Sequence, residues 1–205
     1  MAAELTKILK EYAAFETEVR QLMANFCAPH CSICEQVCCR PEYCHENIDS
    51  PFLALLSSQV QQITAYSAEG GWLASTGCAL STGRPPVCYQ FNCKKVFDSL
   101  PDDNHRYVLG VLSELVPYIG KRALGTTHLV EIMKVSQLEQ VDINRFRKRL
   151  TEARQALKAV RSFAGNRRLP DSALEALKQI KPRPASPASP TRITRCIKHN
   201  SAAGR

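Results

Sequence analysis

The sequence lacks any uninterrupted apolar run of about 18 residues, the length that a transmembrane helix needs. It also lacks the apolar segment of about 7–15 residues that a secretory signal carries after a basic start. Glu4, Lys7, Lys10 and Glu11 instead place charges throughout the first turns. We therefore expect no membrane span and a cytoplasmic location. In that reducing compartment, cysteines are more often metal ligands or redox groups than disulfides.

Acidic residues are absent from residues 181–205. The six cations of this segment are Lys181, Arg183, Arg192, Arg195, Lys198 and Arg205. They supply +6 of the net charge of +8, which leaves +2 for the other 180 residues. The segment also contains the repeat Ala-Ser-Pro-Ala-Ser-Pro from Ala185, a composition that buries little apolar surface. We predict a disordered basic tail over 181–205, in which Cys196 is a free thiol.

The sequence has no glycine-rich phosphate loop and no nucleophile–base arrangement that spacing reveals, so catalysis has little support. A late basic segment offers a different possibility, the binding of an anionic partner such as RNA. Its cations are Arg145, Arg147, Lys148, Arg149, Arg154, Lys158 and Arg161, and Arg167, Arg168 and the basic tail would add to them. Aromatic residues are scarce among them, so a solvated helix face is the competing interpretation.

Two segments have the three–four spacing of a narrow apolar helix seam. The first seam comprises Leu5, Ile8, Tyr12, Phe15, Val19, Leu22 and Phe26. The second comprises Ile143, Phe146, Leu150, Ala153, Leu157, Val160 and Ala164, in a helix that Asp142 caps. Because the seams have equal length, we predict that these helices pack against each other. A coiled coil between two copies of the chain is the alternative, and it would provide a protein partner.

Capping residues and glycines predict the remaining helices. Ser50 and Pro51 begin a helix that runs over 51–69 and ends at Gly70 and Gly71. Two other expected helices begin at Asp102 or Asp103, with a bend near Pro117, and follow Pro170 to about Lys181 with a Ser172–Glu175 capping box. Residues 127–138 fit either a short helix or a strand, and we favour the helix. The predicted fold is mainly α. The N-terminal amphipathic helix (1–26) precedes a cysteine-rich metal-binding region (27–100), a helical region (101–180) and the tail.

Nine of the ten cysteines lie in two segments, which we predict to be loops over 27–49 and 72–95. The first contains Cys27, Cys31, Cys34, Cys38, Cys39 and Cys44, and the second contains Cys78, Cys88 and Cys93. A Cys-x-x-Cys pair such as Cys31 and Cys34 can hold one soft ion, and two such loops can complete a four-thiolate shell for zinc or an iron–sulfur cluster. Nine thiols leave room for two centres. A thioredoxin-like redox pair is an alternative, although the βαβ surroundings of that motif are missing.

Groups other than cysteine contribute to this prediction. His30 and His45 are possible nitrogen ligands. Four thiolates around a divalent ion leave a negative site, so nearby cations should compensate it. Arg84 is the best candidate for a donor to a metal-bound sulfur, and Arg40 is another neighbouring cation. We interpret Lys94 and Lys95 as solvated loop charges.

The cysteine pattern resembles that of the YkgJ-type family, which is described as zinc- or iron-chelating. That family has two spaced cysteines before a vicinal pair, and later a cysteine, an Arg-Pro pair, a second cysteine and an aromatic residue. Here these are Cys31, Cys34, Cys38 and Cys39, then Cys78, Arg84-Pro85, Cys88 and Phe91. The resemblance spans residues 27–93; the Cys34–Cys38 gap is one residue longer than is usual in the family, and Cys27, Cys44 and Cys93 are additional. Flagellin N-methylases are similar in the same motif.

The resemblance ranks the metal ligands. It implies Cys31, Cys34, Cys38, Cys39, Cys78 and Cys88 as the principal set, with Cys27, Cys44 and Cys93 as secondary candidates. The expected function is binding of zinc or an iron–sulfur cluster in a structural or interaction role. A cluster-dependent electron-transfer protein or enzyme is the second hypothesis, and the RNA-binding adaptor is the third.

Overall fold

A computed structural model describes residues 3–31, 39–58, 66–67, 69–74, 77–184 and the backbone of 192–194. The protein is mostly helical, as the apolar periodicity predicts. The longer helices of the described part are α1 (Ala3–Cys31), α3 (Pro51–Ser58), α6 (Asp103–Gly120), α8 (Ile143–Asn166) and α9 (Asp171–Ile180). The shorter helices are α2 (Cys44–Asp49), α4 (Pro86–Gln90), α5 (Lys94–Asp98) and α7 (Val135–Leu138), with 3-10 turns at Pro41–Tyr43 and Leu129–Glu131.

Helix α6 lies at the centre of the main core. Most of its residues are buried, and it contacts α1, α4, α8 and α9. The Asp102 side chain accepts a hydrogen bond from the backbone N–H of His105 at 2.9 Å, which confirms the predicted cap. The helix continues past Pro117 to Gly120, where the ring of His128 packs against the glycine.

Helices α1 and α8 contact each other, as predicted, and their apolar faces are buried within the single chain. Arg147 pairs with Glu4 at 3.3 Å, and Arg161 pairs with Glu18 at 3.1 Å. Each pair joins residues 143 positions apart, so the two helices run in the same direction. One seam residue was predicted wrongly: Ala164 is exposed and Phe163 is buried instead.

The first helix is longer than the predicted 5–26 segment, because α1 continues through Cys27 and Pro29 to Cys31. Phe26 and Cys27 still pack against the main core, so apolar contact continues beyond the expected end. The loop prediction for Cys27–Cys31 was therefore wrong. The later half of this segment is also not all loop, since Cys44 begins α2.

Helix α3 begins as predicted, with Pro51 as its first residue and the Ser50 hydroxyl accepting from the Leu53 N–H at 3.4 Å. It is described up to Ser58, and the rest of the predicted 51–69 helix falls largely outside the described residues. The second cysteine segment contains short elements, so the prediction of a plain loop was too simple. Strands β1 (Leu73–Ala74) and β2 (Gly77–Cys78) form an antiparallel pair before α4, β3 (Phe91–Cys93) and α5.

The helix predictions for residues 127–180 are confirmed in part. The Asp142 carboxylate accepts from the Arg145 N–H at 2.9 Å and caps α8 as expected. Residues 127–138 are helical in two short pieces, as the helix prediction implied. Helix α9 begins at Asp171 without a side-chain cap, so the predicted Ser172–Glu175 capping box is wrong: Ser172 lies inside the helix, and Glu175 pairs with Lys178.

The tail prediction is not confirmed for the part of 181–205 that the structure describes. Arg183 donates to the Asn104 side chain at 2.7 Å, and the Lys181 carbonyl accepts from the Tyr107 hydroxyl at 2.8 Å. Residues Arg192–Thr194 form β4, which pairs in parallel with β3. A strand edge presents unpaired backbone groups, and β4 satisfies those of β3. No described helix is long and apolar enough to cross a membrane.

Candidate metal centre

Five cysteines from both cysteine-rich segments line one cavity, which we call the thiol pocket, and we call four of them (Cys39, Cys44, Cys78 and Cys88) the pocket thiols. Cys39 and Cys44 come from the first segment, and Cys78 and Cys88 come from the second. Cys93 lines the same cavity, whose volume is about 220 Å³. Its other walls are Arg40, Tyr43, Trp72, Leu80, Arg84, Pro85 and Phe91. The predicted convergence of the two segments is therefore present in the described residues.

Burial in the thiol pocket raises the pKa of Cys39, Cys44 and Cys88, which favours their protonated form when no cation is present. Burial raises the pKa of Cys39 to about 11, and Cys44 and Cys78 add to the shift. Burial also raises the pKa of Cys44, which is almost fully buried. A cation in the pocket would reverse this balance, because thiolates are the form that binds metals.

Backbone groups already point at these sulfurs. A backbone hydrogen bond from Arg40 lowers the pKa of Cys39, and one from Trp72 lowers that of Cys44, in both cases opposing the effect of burial. Donors of this kind stabilise thiolate sulfur, and they are typical of the surroundings of metal ligands. The nearby positive charge of Arg84 acts in the same direction on Cys39.

Gly71 allows the backbone to approach Cys44 closely. A Cβ atom at this position would lie 2.5 Å from the Cys44 sulfur, which is too close for any side chain. The glycine also has a φ of +61°, a conformation that other residues rarely adopt. Gly71 therefore serves the pocket as well as the turn that the sequence predicts.

Cysteine side chains such as those of the pocket are the ligands that a soft metal prefers. Their positions in this structure, however, are not those of ligands around a bound ion. Among the described residues, no three His, Cys, Asp or Glu side chains are grouped so that they could hold one metal ion. The four pocket thiols supply a sulfur-rich ligand set of the type that zinc and iron–sulfur clusters take. The pocket wall also includes Trp72, whose indole N–H is buried without a hydrogen-bond acceptor in the described structure.

A buried carboxylate holds the second cysteine segment against α1. Glu16 is fully buried, and its side chain accepts three hydrogen bonds. They come from the backbone N–H of Gly83 at 2.7 Å, the backbone N–H of Arg84 at 2.9 Å and the hydroxyl of Tyr89 at 2.8 Å. Burial raises the pKa of Glu16, and these donors oppose the shift. Since Cys78 and Cys88 flank this turn, Glu16 fixes the position of their segment.

Asn47 holds the same turn from the other side. It donates to the Gly83 carbonyl at 2.6 Å and to the Ser57 hydroxyl at 2.9 Å. Gly83 has a φ of +76°, and a Cβ atom there would lie 2.7 Å from the Ser57 hydroxyl oxygen. Sequence reasoning missed both Glu16 and Asn47. The available signal was the position of Glu16, which stands beside Phe15 on the apolar face of a predicted helix.

Arg84 lies in the pocket wall but makes different contacts from those predicted. Its guanidinium donates to the carbonyls of Leu80 at 2.8 Å and Cys78 at 3.1 Å, and no hydrogen bond from it to sulfur is present among the described residues. The Leu80 and Cys78 carbonyls lie only four and six residues before Arg84 in the sequence, and the guanidinium donates to them instead of to a cysteine sulfur. The side chain thus braces the segment that carries Cys78, and its charge still acts on Cys39.

Cys27 and Cys31 form a second group of thiols together with Cys93, which also lines the thiol pocket. Cys27 and Cys31 are separated by one turn of α1, so they lie on the same side of the helix. Burial raises the pKa of Cys27 to about 12, and Cys31 and Cys93 contribute to the increase. Cys27 and Cys93 both pack against the main core, while Cys44 and Cys78 belong to a separate small cluster around Trp72.

The remaining predicted ligands are elsewhere or outside the described residues. His30 shares a hydrogen bond of 2.6 Å with the Ser99 hydroxyl, and the His45 ring makes an edge contact with Tyr66; neither histidine lines the pocket. Lys94 forms an exposed ion pair with Asp98, in agreement with the solvated interpretation. Predictions for Cys34, Cys38 and Cys196 lie outside the described residues.

Comparison with known proteins gives no match for this chain among protein-family models, curated proteins or solved structures.

Proposed function

We propose that this protein binds a soft metal, as a zinc ion or an iron–sulfur cluster, through thiolates of the thiol pocket. The observation that carries the proposal is the meeting of Cys39 and Cys44 with Cys78 and Cys88 around one cavity. These residues come from segments far apart in sequence, and they meet beside the Arg84 side chain and the backbone groups that oppose the effect of burial on Cys39 and Cys44. Zinc and iron–sulfur clusters both take four-thiolate shells.

The other cysteines are ligand candidates on different grounds. Cys34 and Cys38 remain ligand candidates on the sequence pattern and the YkgJ-type resemblance alone. Cys27, Cys31 and Cys93 are candidates for additional ligands, because they cluster beside the pocket. The cavity of about 220 Å³ is several times the roughly 30 Å³ share of one water molecule, so it has room for a cluster as well as for an ion.

Elemental analysis after anaerobic purification tests the proposal and separates the two metals. Stoichiometric zinc in a colourless protein would identify a zinc site, whereas a brown protein with iron and inorganic sulfide would identify a cluster. We expect Cys78→Ser combined with Cys88→Ser to lose the metal. Cys196→Ser is the matched control, because that cysteine lies outside both cysteine-rich segments, and it should retain full occupancy.

Reconstitution provides a second readout. Trp72 is the only tryptophan of the chain and it lines the pocket, so its fluorescence should change as zinc or ferrous iron with sulfide is added. Absence of metal from the purified protein, together with no fluorescence change on reconstitution, would overturn the proposal. Equal metal loss in the double variant and in Cys196→Ser would show that the pocket is not the binding site.

A further inference from the structure

A cluster of basic residues surrounds an open cleft that shares no lining residue with the thiol pocket. The cleft, which we call the basic cleft, lies between the turn at 121–126 and the first turns of α8, and has a volume of about 740 Å³. Its cations are Arg122, Arg145, Lys148 and Arg149. Small-molecule sites typically occupy about 300–1,000 Å³, so the space suits a ligand of nucleotide size.

The negative charges of the cleft are already engaged. The Asp142 carboxylate caps α8 and pairs with Arg145 at 3.4 Å. The Glu152 carboxylate accepts a hydrogen bond from the Tyr118 hydroxyl at 2.7 Å. Four cations therefore face two carboxylates, of which Asp142 pairs with one of the four, Arg145, and the cleft keeps an excess of positive charge.

Two of the cations are held in place before any ligand arrives. Arg145 donates to the carbonyls of Arg122 at 3.0 Å and Gly125 at 3.3 Å, and Arg149 donates to the carbonyl of Lys121. A guanidinium has five N–H donors, so each keeps donors for a further acceptor. Fixed guanidinium groups lose little freedom on binding, and their planar shape matches phosphate oxygens.

The other two cations are exposed, and neither forms an ion pair with a residue in the described part of the chain. Arg122 has a φ of +53°, a conformation that costs energy for a residue with a side chain. Lys148 projects from the exposed side of α8. Burial lowers the pKa of Arg149, the neighbouring charges of Arg122 and Arg145 add to the decrease, and Tyr118 and Glu152 oppose it.

Two cations of α8 outside the cleft form ion pairs with helix α1. Arg147 and Arg161 pair with glutamates of α1, so that edge of the helix is neutralised within the fold. Positive charge without an ion pair among the described residues therefore remains at the cleft and at the exposed Arg154 and Lys158 farther along α8. This distribution differs from the uniform basic face that an extended RNA-binding helix would present.

We propose that the basic cleft binds a small ligand that carries two or more phosphate groups. Arg145 and Arg149 would supply fixed guanidinium donors, and Arg122 and Lys148 would complete the neutralisation. The site is separate from the thiol pocket, and the proposal does not depend on metal binding.

Isothermal titration of the full chain with tripolyphosphate and with ATP tests the proposal at about 0.1 M salt. The variant to compare is Arg122→Gln with Lys148→Gln. Its matched control is Arg154→Gln with Lys158→Gln, which removes the same charge from exposed positions of α8 outside the cleft. We expect the cleft variant to weaken binding by about tenfold or more, and the control by less than about twofold. All cysteines remain in both variants, so any extraction of metal by polyphosphate would affect them equally.

Comparing the two ligands distinguishes a site for phosphate groups alone from a site for a nucleotide. Equal affinity for tripolyphosphate and ATP would indicate recognition of the phosphates alone, whereas tighter binding of ATP would indicate a nucleotide site. Equal weakening in the two variants would mark a nonspecific effect of net charge and overturn the proposal. No measurable binding of either ligand would overturn it too, as would binding of a single-stranded RNA oligonucleotide without binding of tripolyphosphate.

Discussion

Replacing Glu16 with glutamine should destabilise the protein although the two side chains have the same shape. The carboxylate accepts from Gly83, Arg84 and Tyr89, and all three partners are donors. An amide offers one accepting oxygen, so its NH₂ group must face a donor. The best orientation keeps the bonds to Arg84 and Tyr89 and turns the amide nitrogen toward the Gly83 N–H.

The size of the effect follows from these contacts. Leaving the buried Gly83 N–H without an acceptor costs about 1–3 kcal/mol. The two remaining bonds lose their charge-assisted strength, which costs about 1 kcal/mol more. Removing a buried negative charge offsets part of this loss, because burial raises the pKa of Glu16. We expect the free energy of unfolding to fall by about 2 kcal/mol.

Urea unfolding of the wild type and Glu16→Gln measures this difference. Glu18→Gln is the matched control on the same helix: its ion pair with Arg161 is exposed, so its loss should cost less than about 1 kcal/mol. Tyr89→Phe removes one of the three donors and should cost about 1 kcal/mol. The reasoning is refuted if Glu16→Gln unfolds at the same urea concentration as Glu18→Gln.

Three further predictions concern the pocket and the core. Gly71→Ala should displace the Cys44 sulfur and weaken zinc binding in a chelator competition, whereas Gly125→Ala, with a similar φ of +59° and no neighbour within 4 Å, should not. Because the pKa of Cys39 is about 11, metal binding must release protons, so zinc affinity should rise between pH 6 and 8; a pH-independent affinity would contradict the assignment. Burial lowers the pKa of His128, so its protonation favours the unfolded chain. The free energy of unfolding should therefore fall as the pH drops below about 6.5, with a smaller slope in His128→Gln.

Local chemistry explains which parts of the fold the sequence could predict. Asp142 caps α8, and Ser50 with Pro51 begins α3, because capping depends on residues within one turn of each other. The end of α1 depends on tertiary contact: Pro29 is unfavourable inside a helix, but Phe26 and Cys27 still pack on the core. The β3–β4 pairing joins strands that are distant in sequence, so no local pattern could reveal it.

The same distinction applies to the candidate metal centre. Spacing and composition predicted that the two cysteine segments meet, and Cys39 and Cys78 do line one cavity. The spacing of the cysteines could not show that Cys27 belongs to a different group from Cys39 and Cys78. Cys27 lies on α1, and the sequence did not indicate that α1 continues to Cys31. Glu16 was missed for a related reason. A glutamate beside an apolar seam is usually a solvated edge residue, and only the folded turn at Gly83 supplies the donors that make its burial possible.

Removal of the metal should loosen the thiol pocket while leaving most of the helices intact, if the proposed site is correct. The turn between Cys78 and Cys88 is held by Glu16 and Asn47 through hydrogen bonds that involve no sulfur. The main core around α6 likewise contains none of the four pocket thiols, whereas Trp72 shares a small cluster with Cys44. Chelation should therefore change the fluorescence of Trp72 at nearly constant far-ultraviolet circular dichroism. A parallel loss of helical signal would contradict this reasoning, because it would mean that the metal, and not the buried hydrogen bonds, holds the helical core together.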